Sequence, residues 1–251
     1  MPGLPGLANL REISLTMSVP IEKEVSSNNK RLSSFNKILL TCGVISSLWY
    51  VAINVFVPTY FDGYEISSQA VSELSAIGSP TRLLWVTLAA IYIVLLGLFA
   101  LGILMSAGKN KRIYRLGAIL GLYCVLNVYW PPMHLRGNET SLTDLLHIVW
   151  TVLSIGLMIA MMINGMKIDG KAFRLYTFGT LILFAVFGVL TGIEAPKVAD
   201  DLPTPLLGIW ERVLIALYLA WISVLAITLL KQRGKIETGY SSRKVSSNAA
   251  K

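Results

Sequence analysis

Residues 83–105, LLWVTLAAIYIVLLGLFALGILM, run without a charged side chain. At 1.5 Å rise per residue, about 20 such residues cross the roughly 30 Å hydrocarbon core of a bilayer as a helix. The run is continuously apolar and does not alternate, so it reads as a spanning helix and not as a barrel strand. Five further segments read the same way or nearly so: Ile38–Val57, Leu116–Met133, Leu145–Met166, Leu175–Ile193 and Val213–Leu230. The span at Leu116–Met133 is the least regular, because Pro131 and Pro132 are expected to end its helix near Trp130. The expected fold is all-α: a six-helix transmembrane bundle over residues 35–230. Polar tails at 1–34 and 231–251 read as disordered.

Composition agrees. Of 251 residues 54% are hydrophobic and 14% charged, against about 25% charged in soluble domains. An ordinary soluble globule, a disordered chain and a coiled coil are excluded. Eighteen of the 22 Lys and Arg lie in the two tails and in the loops after the second and fourth spans; Arg82, Arg136, Lys197 and Arg212 are the rest. This bias predicts an integral multi-pass protein with both termini cytoplasmic. The net charge of +8 is then topological and attracts anionic lipid, so membrane lipids and not nucleic acid are the expected partners. Cys42 and Cys124 both lie in apolar runs and give neither a disulfide framework nor zinc spacing. The short connections Ser106–Arg115 and Lys167–Arg174 predict that helices 2 and 3, and helices 4 and 5, pack as neighbours. Gly117-x-x-x-Gly121 and Gly188-x-x-x-Gly192 allow close helix contact.

The longer connections lie on the outer side, where binding sites tend to be built. Ala70, Val71, Leu74 and Ile77 recur at helical spacing and predict a short interfacial helix between helices 1 and 2, ended by Gly78. It is either a cavity cap or a structured connector. The unusual polar residues gather on this rim: Glu73, His134, Asp144, His147, Glu194, Glu211 and Arg212. Ionisable groups at membrane depth tend to face the bundle interior and pair. Arg212 is thus a candidate partner for Glu194 or Glu73. Asp144 and His147 are spaced i, i+3 on one helix face, either as an acid–base or metal pair or as a cap, with Thr143 or Asp144 at the helix start, beside a hydrogen-bonded histidine. Asn138-Glu139-Thr140 fits a glycosylation sequon. Phosphate-loop, dinucleotide-turn, nucleophile-elbow and His-Glu-x-x-His signatures are absent.

Ser72-Glu73-Leu74 followed by Gly78-Ser79-Pro80, the histidine in Thr143-Asp144-Leu145-Leu146-His147, and Gly208-Ile209-Trp210-Glu211-Arg212 with Trp221 downstream resemble domain-of-unknown-function family 998. The resemblance covers roughly Phe35–Leu230 and implies a six-span membrane protein with no established activity. The family often shows a Phe-Pro-x-Asp turn after helix 3, where this chain has Trp130-Pro131-Pro132-Met133-His134; the resemblance therefore assigns no role to His134.

Three functional readings follow. In the first, Glu73, His147, Glu194 and Arg212 line an outer polar pocket that binds a small molecule or lipid headgroup, with Arg212 holding an anionic group. In the second, His134, Asp144 and His147, with Glu194, hold a metal that activates water to cut a lipid amide or ester. In the third, a membrane scaffold, the rim charges merely pair with one another. The sequence specifies no cofactor.

Overall fold

The computed structural model describes residues 7–137 and 141–249, with side chains described over 31–137 and 141–234. The sequon at 138–140 lies outside the described residues. The chain divides into a unit at 1–38, which carries the upstream part of the first helix, and a unit at 39–251, which carries everything discussed below.

Six helices make up the fold: α1 (Leu7–Phe56), α2 (Arg82–Ser106), α3 (Lys111–Leu126), α4 (Leu142–Gly165), α5 (Lys171–Ala199) and α6 (Leu207–Ala249). Two short 3-10 turns, Val57–Tyr60 and Val71–Ser75, lie between α1 and α2. Among the described residues, five helices are long and apolar enough to cross a bilayer; α3 is not one of them. The protein is an all-helical, multi-pass membrane protein. Its apolar surface is what lipid tails would cover: Leu83, Val125 and Leu175 are 80%, 71% and 72% exposed.

Three of the helix limits that differ from the sequence reading bear on the site. α3 stops at Leu126, before Trp130, because Asn127 leaves the helical region and its amide donates back to the Tyr123 carbonyl at 2.8 Å. α5 continues past Ile193 to Ala199, carrying Pro196 inside it; Glu194 therefore sits within the helix and not at its end. α6 begins at Leu207, so Glu211 and Arg212 fall in its first turns instead of preceding it.

The largest core joins α2, α3, α4 and α6 through Leu96, Phe99, Ile103, Leu116, Met162 and Trp221, all buried. Helix α2 packs extensively on α3, as expected, and α5 on α6 and α3 on α4. Helices α4 and α5 touch only sparingly despite their short connection. Gly117 is held against Leu104 of α2, so a Cβ there would have to displace it; Gly121 and Gly192 face open space, and Gly188 has only ordinary room beside Leu214. A second core of Ile53, Val57, Val71, Leu74, Trp85 and Ala89 fixes the α1–α2 connection on the end of the bundle.

Candidate functional site

The α1–α2 connection forms a cap. Its centre is the turn Val71–Ser75, shorter than the predicted helix, with Val71 and Leu74 buried beneath it. Gly78, at φ 89°, then turns the chain towards Ser79 and Pro80. Several backbone groups of the cap find partners from far along the chain. The Arg212 guanidinium donates to the Ile66 carbonyl at 2.9 Å and the Gln69 carbonyl at 3.2 Å, and to the Tyr64 hydroxyl at 2.8 Å. That hydroxyl donates on to the Ala70 carbonyl at 2.7 Å. Thr204 donates to the Ser68 carbonyl at 2.8 Å, and Glu211 accepts from the Val71 N–H at 2.6 Å. Burial pushes the Tyr64 phenol above its ordinary range, against the pull of Arg212.

Glu73 is wholly buried. Its Oε1 accepts from the Ala70 N–H at 2.9 Å, and Arg136 grips both oxygens, Nη2 on Oε1 at 2.8 Å and Nε on Oε2 at 3.0 Å. This two-pronged geometry is the strongest form of Arg–carboxylate contact. The hydrogen bonds to Glu73 hold the Arg136 guanidinium above its ordinary value. The sequence reading offered Arg212 as a partner for Glu194 or Glu73; for Glu73 the structure gives Arg136 instead. The expectation that Arg212 neutralises Glu194 is corrected as well: Lys197, one helical turn on, bonds Glu194 at 2.8 Å. Arg136 was missed because no local spacing marks it. It reaches Glu73 through a parallel bridge between Ile77 and His134, in which the Ile77 N–H donates to the Met133 carbonyl at 2.7 Å.

The α3–α4 connection is built on Asp144. Ser141, and not Thr143 or Asp144, is the N-cap of α4. Asp144 Oδ2 accepts from the Ser141 N–H at 2.8 Å and lies 2.9 Å from His134 Nδ1, while Oδ1 accepts from the His134 N–H at 2.7 Å. Asp144 therefore meets His134, ten residues back, and His147 turns elsewhere: its Nδ1 donates to the Pro131 carbonyl at 2.7 Å and its ring lies 5.4 Å from that of Trp150. Among the described residues, no group of three or more His, Cys, Asp or Glu is placed to hold a metal ion.

Beneath the cap lies a cavity of about 810 Å³. One wall is α4, through His147, Thr151, Ser154 and Met158; another is α5, through Phe184, Gly188, Gly192 and Ala195. The cavity occupies the space between these helices, which accounts for their sparse contact. Its floor is aromatic, with Tyr50 and Tyr92 rings 4.6 Å apart and Tyr123 and Tyr218 rings 5.9 Å apart. Its charged and imidazole groups come from the α3–α4 connection and the starts of α4 and α6, namely His134, Arg136, Asp144, His147 and Glu211, with Ser72 from the cap and Asn127, Thr151, Ser154 and Thr191 further along the walls. Of the four residues read as a binding set, only His147 lines it; Glu73, Glu194 and Arg212 do not. Glu211, on the same side as Arg212 in the sequence reading, reaches the cavity because α6 starts early.

No curated protein and no solved structure matches the chain. The model of the family described as protein of unknown function (DUF998) matches residues 44–228, a stretch holding the cap, the Glu73–Arg136 pair, the His134–Asp144 pair and the whole cavity lining. The chain belongs to that family.

Proposed function

We propose that this protein binds an amphipathic small molecule or single-chain lipid in the cavity between α4, α5 and the cap. The observation that carries this reading is the cavity itself, about 810 Å³ with a largely aromatic and aliphatic wall and its charged and imidazole side chains next to the cap and the α3–α4 connection. Sites for small molecules have this size and this division of surface. Pairing among the rim charges explains how the cap is held and leaves the space beneath it unexplained, so a scaffold role accounts for less of the molecule. The Lys and Arg bias of the loops puts the capped end on the exoplasmic side and the chain termini in the cytoplasm.

The test is saturable binding of a fluorescent dodecyl amphiphile to the purified full chain in nanodiscs, with empty discs subtracted. Gly192 lines the cavity and has nothing within 4 Å of where a Cβ would stand, so the Cβ of Gly192→Leu meets no neighbour and its side chain takes up cavity space. The expected result is binding weakened by about tenfold or more, close to 1.4 kcal/mol, with unchanged thermal stability. Equal binding by the filled variant overturns the reading.

A further inference from the structure

The two histidines of the chain both line the cavity, and their hydrogen bonds fix what each presents. His147 Nδ1 faces the Pro131 carbonyl at 2.7 Å. A carbonyl oxygen only accepts, so Nδ1 carries the proton, and in the neutral ring Nε2 holds a lone pair. His134 Nδ1 faces the Asp144 carboxylate at 2.9 Å, which fixes the same tautomer for the neutral ring. Among the described residues, no hydrogen bond engages either Nε2. Among the described residues the only Lys or Arg in the lining is Arg136, and Glu73 occupies its guanidinium. The acids in the lining are Asp144 and Glu211. The polar end of the cavity is therefore rich in acceptors and, among the described residues, without a free cation.

Resting on the binding reading above, we infer that the ligand's head group is a hydrogen-bond donor without negative charge, a hydroxyl or an ammonium. The Nε2 atoms of His134 and His147 accept from it, while the single apolar chain lies against the tyrosines and Met158. This reverses the expectation of an anionic group held by Arg212, which does not line the cavity and whose two terminal nitrogens bond the cap carbonyls and Tyr64. The shared chemistry is donation; hydroxyl and ammonium heads are separated in the test.

Four probes of one chain length displace the fluorescent amphiphile from the full chain in neutral nanodiscs: dodecylglycerol, dodecylamine, dodecanoate and dodecyl phosphate. At least one donor-headed probe is expected to act at about tenfold lower concentration than either anion, and the ranking of the two shows which head is taken. His147→Phe and His134→Phe each keep the chain contacts and are expected to erase that preference; if either fails to fold, the wild-type ranking decides alone. Anions that compete as well as or better than both donors overturn the inference and leave the binding reading standing. Absence of any saturable binding overturns both.

Discussion

A carboxylate as buried as Glu73 is stable only where its charge and lone pairs are met. Here the Ala70 N–H, the Gln69 amide and two nitrogens of Arg136 meet them. The partners are not equivalent. Glu73 has no exposed side-chain surface, whereas Arg136 keeps 22% and has further acceptors in Thr204 Oγ1 and the Ser68 carbonyl. Removing the cation therefore strands a charge that water cannot reach; removing the acid leaves a cation that it can. Arg136→Met is expected to destabilise the protein by about 3 kcal/mol, the range for a buried pair broken from one side. Glu73→Gln retains an acceptor for the Ala70 N–H and is expected to cost less than half as much. Melting of the purified variants in one detergent checks the order, and equal losses would show that the pair is screened by solvent on both sides.

The cap and the start of α6 dock through backbone. Ile209 N–H donates to the Ser67 carbonyl at 3.3 Å, and Gly208 sits so close that a Cβ would collide with the Ile66 and Gln69 carbonyl oxygens. In an ordinary helix, Gly to Ala stabilises by up to about 1 kcal/mol. At Gly208 the sign reverses, because backbone and not a flexible side chain has to move. Gly208→Ala is expected to lose about 1–3 kcal/mol, as overpacked sites do, and its melting temperature falls; a rise would mean that the cap can lift off α6 without loss. This contact explains why Gly208, Glu211 and Arg212 occur together: clearance, a cap on the Val71 N–H and a clamp on the carbonyls. The spans were legible in the sequence because a long apolar run decides them locally. The end of α3 was not, because Asn127 stops it by turning its own amide back on Tyr123 before the prolines act. The rim was legible as a set of residues and not as a set of pairs. Glu73 and Arg136 meet only through the Ile77–His134 bridge, and Asp144 finds His134 across a loop instead of His147 along its helix, so the register of two connections decides both.

At the scale of the whole molecule, the question is how α3 traverses the bundle. Its helix, Lys111–Leu126, spans only about 24 Å at 1.5 Å per residue, short of a roughly 30 Å hydrocarbon core. Yet the chain that leaves it returns to the cap, where Leu135 N–H donates to the Ile77 carbonyl at 3.3 Å. Ile77 lies just before α2 begins, and α3 starts just after α2 ends. The non-helical stretch after Asn127 would therefore complete a crossing. Such backbone is tolerated at membrane depth where it lines a protein cavity, and Asn127, Trp130 and Met133 do line one. Among the described residues five helices are long and apolar enough to span; a crossing completed by α3 would make six, and with it an alternation that cysteine labelling of sealed vesicles reads. Cys42 and Cys124 are buried and give little background. Lys109→Cys and Lys171→Cys are expected to react from one side, and Asp62→Cys and Asp200→Cys from the other. If α3 were instead a re-entrant helix, every later crossing would invert, and Lys171→Cys would label with Asp62→Cys. The same inversion would split the basic loops between two faces, against the bias that places 18 of 22 Lys and Arg together, so charge and backbone geometry favour the same outcome by independent routes.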